Sequence, residues 1–259
     1  MSPGDDVARD LVRYGIADGV AEIELNRPDS SNAVDLPTAR ALDAAVADAA
    51  ADPRVRAVLV TGAGRRFCAG GDLSAVLAAA DPAAYLESLV AALDGALHRL
   101  RALEVPVVGA VQGAVAGAGL AVLLSCDVVV AAPSTKFVMA YSGVGLTPDC
   151  GVSWLLPRAI GQQRALDLAL TGRVLSAPEA EQWGLVNEVA RSDGAAVRAR
   201  ALAREMSAGS ASALGQAKRL LRASWDTTPV EASADEAQTI TRAITTAEAQ
   251  DLIRAFSRR

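Results

Sequence analysis

A chain of 259 residues is long enough for one large domain, or for a core with a small appendage. Apolar residues make up 51% and charged ones 21%, which excludes global disorder, and the apolar share is largely alanine, which favours helix. The net charge of −5 excludes nucleic acid as a main partner, because phosphate binding needs a basic face, although local Arg or Lys can still hold a phosphorylated group.

The opening MSPGDDVARD is acidic and polar, unlike a secretory signal. No apolar run is long enough to span a bilayer, so the sequence reads as cytoplasmic with no membrane partner. Residues 12–25 alternate in places and carry Asp18-Gly19 between two half-strands, which predicts a hairpin. Asn26-Arg27-Pro28 closes the second strand. Residues 36–51 are an alanine-rich stretch with apolar spacing near 3.6, a helix. Residues 55–61 are continuously apolar, as in a strand buried on both faces of a parallel sheet. A Gly- and Arg-rich loop fills 62–71, and 72–80 reads as a short helix. Asp81-Pro82 starts the next helix, which runs to about Leu103, with His98 near its end.

A second buried strand follows at 105–110, then a glycine-punctuated loop at 113–119, an apolar helix at 120–125 and a third strand at 128–132. Strands separated by helices imply βαβ crossovers and a mostly parallel sheet. Residues 152–160 form a helix after a loop. Beyond Phe137 the chain reads as helical almost to its end, with candidates at 177–183, 193–207, 212–224, 230–241 and 247–257. The expected division is an α/β core over 1–191 and a helical C-terminal region over 192–259.

The chemistry-bearing stretch is AVQGAVAGAGLAVLLSCD, residues 110–127. Glycine lets another group approach the backbone, and a helix start leaves N–H donors unpaired. Together they suit an oxygen that becomes negative. Gly113, Gly117 and Gly119 lack the G-x-G-x-x-G order of a dinucleotide site. Cys68, Cys126 and Cys150 show no C-x-x-C spacing, and a single histidine excludes a histidine metal cluster within one chain. One histidine and no G-x-S-x-G elbow argue against a serine nucleophile.

A second stretch, Arg65-Arg66-Phe67-Cys68-Ala69-Gly70-Gly71-Asp72-Leu73, follows the strand at 55–61. Read with Leu25-Asn26-Arg27-Pro28, Asn32-Ala33, the 110–127 stretch and Gly184-Leu185-Val186-Asn187-Glu188-Val189, the chain resembles the crotonase superfamily, the enoyl-CoA hydratases and isomerases. The resemblance spans nearly the whole chain. It implies an α/β fold, a crotonase-type ββα spiral core with a helical C-terminal trimerisation region. It implies an acyl-CoA thioester substrate, no permanently bound cofactor and no metal, and a homotrimer or a hexamer of two trimers.

The resemblance also assigns residues. The thioester oxygen would lie between the backbone N–H groups of Gly71 and Ala118, where alanine replaces the family's commoner glycine and narrows the tolerated backbone angles. Ala33, Ala69, Asp72, Leu73 and Gly117 would meet coenzyme A, Arg27 would sit near its phosphates, and Tyr141 would face the site. Phe256 and Arg259 match aromatic and basic positions that often reach a neighbouring subunit's coenzyme A.

The family's hydratases hold one water with two glutamates. Those positions are Ala121 and Tyr141 here, and neither can act as a base at neutral pH. One carboxylate remains nearby, Asp149. On spacing alone it reads as a helix N-cap or an early-turn aspartate. The run GLTPDCGVSWLLPRAIG, however, resembles the 1,2-epoxyphenylacetyl-CoA isomerase branch, whose catalytic aspartate falls there. The resemblance then implies double-bond or ring isomerisation with Asp149 carrying the proton, and Val144, Leu146 and Trp154 as walls of the acyl pocket. Residues 75–93 would line that pocket too. Two alternatives stay open: a hydratase with Tyr141 and Asp149 holding the water, and a non-catalytic acyl-CoA-binding paralogue. Aryl-CoA dehalogenation is disfavoured, since it needs a tryptophan at Tyr141 and a histidine at Asp94.

Overall fold

The computed structural model describes residues 10–192 and 194–258. The hairpin at its start joins β1 (Val12–Ala17) to β2 (Val20–Leu25), antiparallel, through Asp18 and Gly19. Both turn residues have positive φ, 53° and 75°, the pair of left-handed positions that a two-residue turn needs to match strand twist. Helix α1 (Leu36–Ala51) begins where the Asp35 side chain accepts the Thr38 N–H. Then come β3 (Ala57–Gly62), α2 (Leu73–Ala78), α3 (Pro82–Ala102), β4 (Val107–Val111), β5 (Ala114–Ala116), α4 (Ala118–Leu124), β6 (Val128–Ala131) and β7 (Lys136–Val138). The rest is α5 (Val152–Ile160), α6 (Gln162–Thr171), β8 (Val174–Ser176), α7 (Ala177–Trp183), β9 (Glu188–Val189), α8 (Ala195–Ala208), α9 (Ala211–Ala223), α10 (Pro229–Ile244) and α11 (Ala247–Phe256).

Six strands form one sheet in the order β1-β2-β3-β4-β6-β9, parallel from β2 onward. The apolar runs of β3, β4 and β6 follow from burial on both faces. Val58, Val60, Val107 and Val111 point into a core shared with α1 and α3, while Ala57, Leu59, Val108 and Ala110 point to the other side, onto Ala195, Ala199 and Ala203 of α8. Fully burying one such Val or Leu stabilises the fold by about 1.5–3 kcal/mol relative to exposure. Alanines on α8 let that helix lie close against the strands. The expected division after residue 191 therefore falls just before a helix that is itself part of the sheet's packing.

A second, three-stranded sheet has the order β5-β7-β8. It differs from the expectation that the chain is helical beyond Phe137. Strands β8 and β9 lie there and β7 straddles Phe137, while α6 is a helix that the candidates do not include. Strands of two or three residues are too short to show alternation, so only their pairing defines them. Helix α9, in the C-terminal region, is tied to the core at Asp127, whose carboxylate accepts from Lys218 Nζ at 2.8 Å and from Arg222 at 2.6 Å. No helix among the described residues is long and apolar enough to cross a membrane.

Candidate active site

The two glycine-bearing loops are laced together before any ligand is considered. Cys68 N–H donates to the Ala114 carbonyl at 3.3 Å, and Ala116 N–H donates back to the Cys68 carbonyl at 3.0 Å. Gly119 makes this approach possible, since a Cβ there would lie 2.4 Å from the Cys68 oxygen. Gly117 turns the chain into α4 with φ 50° and ψ −121°, a conformation that a side chain would not allow. Ala118 follows as the first residue of α4. It is not among the residues with positive φ, so alanine is compatible with its backbone. Gly71 sits on the facing loop, between Gly70, whose carbonyl accepts the Val34 N–H, and Asp72, whose N–H donates to the Val34 carbonyl. Among the described residues, neither the Gly71 nor the Ala118 N–H has a hydrogen-bond partner within the chain.

A buried asparagine supports this loop from below. Asn32 Nδ2 donates to the carbonyls of Ala63 and Arg66, at 2.9 and 2.7 Å, and its Oδ1 accepts the Arg27 N–H at 2.8 Å. Arg27, expected near the phosphates, has its guanidinium on Asp72 at 3.0 Å, on Asp35 at 3.2 Å and on the Ala33 carbonyl. Its charge is thereby balanced by two carboxylates. Asp72 also caps α2 by accepting the Ala75 N–H. The Asn32 tie was missed at sequence level. Its signal was the asparagine itself, which sits with φ 54° and tolerates that left-handed position better than most residues.

A cavity of about 380 Å³ opens between these loops, α2, α3 and the segment after β7. Ala69, Gly71, Leu73, Gly117, Ala118, Tyr141 and Asp149 all line it, so most of the expected site residues are brought together. Ala33 and Asp72 flank it without lining it. Val76, Leu86, Leu89, Val90 and Leu93 line it from within the expected stretch 75–93, and Val144 and Leu146 close the far wall. Trp154 corrects an expectation. It sits on the outer face of α5, 41% exposed, edge-on to Trp225 and under the Arg158 guanidinium, and it lines a different cavity with Asp94 and His98. Neighbouring Val152 and Leu155 point into the protein, so the helical period turns Trp154 away. Phe256 is 79% exposed on α11 and does not line the cavity, and Arg259 lies outside the described residues.

Asp149 is not a helix cap. The cap of α5 is Gly151, and only the Asp149 main-chain carbonyl serves the helix, accepting the Val152 N–H. The side chain is left to meet Tyr141, whose hydroxyl donates to Asp149 Oδ1 at 2.8 Å. Burial pushes the Asp149 carboxyl above its ordinary value, and the hydrogen bond from Tyr141 pulls the other way. Tyr141 is pushed up, chiefly by burial and then by the Asp149 charge, so its phenol stays protonated as a donor. Ala121, at the first hydratase position, is fully buried and does not line the cavity. His98 is exposed on α3 and pairs with Asp94 at 3.4 Å, away from the cavity.

Residues 15–259 match the family model described as enoyl-CoA hydratase/isomerase. A 1,2-epoxyphenylacetyl-CoA isomerase of Escherichia coli K12 is 41% identical over 205 residues, 78% of each chain. A protein of Rhodobacter capsulatus named probable enoyl-CoA hydratase is 39% identical over 181 residues, 68% of this chain and 67% of its own. A solved structure from Mycobacterium abscessus, assigned as an enoyl-CoA hydratase/isomerase, superposes with a TM-score of 0.91 at 36% identity, covering 95% of each chain.

Proposed function

Because the chain belongs to the enoyl-CoA hydratase/isomerase family, whose fold and acyl-CoA thioester substrates it shares, we propose that it moves a double bond by carrying one proton through Asp149. The observation that carries this reading is one cavity lined by Asp149, Tyr141, Gly71 and Ala118, with the first hydratase position, Ala121, sealed in the core. The Asp149 carboxylate takes a proton from the α-carbon of a 3-enoyl thioester. The C–H electrons flow into the carbonyl and leave an enolate, whose oxygen accepts from the Gly71 and Ala118 N–H groups. Asp149, now protonated, returns that proton to the γ-carbon, and the double bond ends in conjugation with the carbonyl. Each preorganised donor contributes about 3–4 kcal/mol to such a barrier.

A base works best with its pKa near the operating pH, and burial of Asp149 acts in that direction. Ring isomerisation uses the same base and hole, in keeping with the relative named for 1,2-epoxyphenylacetyl-CoA. Coenzyme A enters as part of the substrate, along Ala69, Asp72 and Leu73, with Ala33 and Gly117 at its edge. Arg27, balanced by Asp35 and Asp72, serves it by holding that loop. Assembly as a homotrimer, or a hexamer of two, belongs to the same reading. In it the exposed Phe256 and the terminal Arg259 meet a neighbour's coenzyme A. A second reading, hydration, draws on the Tyr141–Asp149 pair as a holder of water.

Asp149→Asn tests the proposal. Isomerisation of a 3-enoyl-CoA falls by about 10²–10⁴-fold, the contribution of a positioned base, while affinity for the saturated thioester is retained. Undiminished turnover in that variant sinks the assignment.

A further inference from the structure

We infer that the acyl group taken by this cavity is an uncharged, linear aliphatic chain of medium length laid along α3, rather than a short, aromatic or dicarboxylic one. The inference rests on the cavity being the acyl-CoA site and deepens that reading, favouring its double-bond form over its ring form.

Leu86, Leu89, Val90 and Leu93 all line the cavity. Their spacing is i, i+3, i+4 and i+7, so they form one stripe of two helical turns, about 10 Å long. Val76 of α2 and Leu146 after β7 face the same space. Such a trough matches an extended alkyl chain along its length. The length agrees. An extended chain advances about 1.2 Å per bond, so a stripe of about 10 Å matches an acyl group of about eight carbons.

The polar inventory sets the charge. Among the described residues, no Lys, Arg or His lines the cavity, and the one carboxylic acid that does is Asp149. A second carboxylate on the acyl chain would lose its water, find no cation and sit near a like charge. Among the described residues, the one aromatic ring in the lining is Tyr141, whose hydroxyl already serves Asp149. A phenyl-bearing acyl group would meet aliphatic side chains elsewhere and leave the α3 stripe partly uncovered.

Two parallel series test this. The first measures kcat/KM for linear 3-enoyl-CoA thioesters of increasing length, with a phenyl-bearing and a dicarboxylic enoyl-CoA of matching size. The second measures affinity for the corresponding saturated acyl-CoA thioesters by calorimetry, and needs no turnover. Both rise about fourfold per methylene, level off at about eight carbons, and leave the dicarboxylic thioester about 100-fold below the linear chain of equal size. Leu86→Arg puts a cation at the half-buried start of the stripe. It raises the dicarboxylic-to-linear ratio at least about tenfold. A wild-type preference for the shortest, the aromatic or the dicarboxylic thioester overturns the inference. Chain-length preference in binding without any isomerisation upholds it and overturns only the proposed reaction.

Discussion

The two sides of the cavity are built in different ways. On one side, loops 66–73 and 113–119 offer backbone N–H groups, and their arrangement depends on glycines that let Cys68 and Gly119 come together. On the other side, the segment between β7 and α5 offers side chains, Tyr141 and Asp149, joined by one hydrogen bond. In the proposed reaction the first side binds the thioester oxygen, and the second side decides what happens to the carbon next to it. A family can therefore keep the first and change its chemistry through the second, and this chain has alanine and tyrosine where the hydratases it resembles carry glutamates.

The comparison can be broken first on the backbone side. Ala118→Pro deletes one N–H at the first position of α4, where proline is tolerated in a helix. kcat falls about 10²–10³-fold, with thermal stability close to wild type. An unchanged kcat would remove Ala118 from the hole. Gly119→Val forces a side chain against the Cys68 carbonyl, and the loops must part. Stability falls by about 1–3 kcal/mol in denaturant titration, and kcat falls with it, since both donors move. A stable, fully active variant would mean that the lacing of the loops does not hold the hole in shape.

On the side-chain side, Tyr141→Phe removes the donor that pulls the Asp149 carboxyl down. Asp149 acts as a base only when ionised, and burial already raises its value. The acid limb of kcat/KM therefore lies above the ordinary aspartate value, and the variant moves it to still higher pH. kcat falls about tenfold, the order of one charge-assisted hydrogen bond. A limb that moves down, or stays, would separate Tyr141 from the base. His98→Ala is the smallest effect. His98 is exposed and outside the cavity, so activity and stability stay within about twofold and 0.5 kcal/mol.

How much of this was legible depends on what each residue does. The hole side could be read because glycine at Gly117 and Gly119 answers a local need, a backbone angle or a close approach, that leaves its mark in spacing. The parallel sheet could be read because burial on both faces makes continuous apolar runs. The Tyr141–Asp149 contact could not be read from spacing, because it depends on how an eight-residue excursion folds back. Trp154 was misjudged for a related reason. Proximity to Asp149 in sequence suggested the pocket, but one step along α5 from the buried Leu155 turns it by about 100°, onto the exposed side of the helix. The two carboxylates that balance Arg27 could not be read beside it, because Asp35 and Asp72 lie on other segments. The short strands β7, β8 and β9 exist only through their pairing.

The most direct measurement uses a 2-enoyl-CoA and its 3-enoyl isomer, each incubated with the protein in heavy water and followed by mass spectrometry. Proton transfer through Asp149 predicts that the isomers interconvert, that no water is added, and that deuterium enters at carbon only to the extent that the protonated Asp149 carboxyl exchanges with solvent before it returns the proton. A product heavier by one water, with no exchange between the isomers, would contradict it and make Tyr141 and Asp149 the holders of a nucleophilic water.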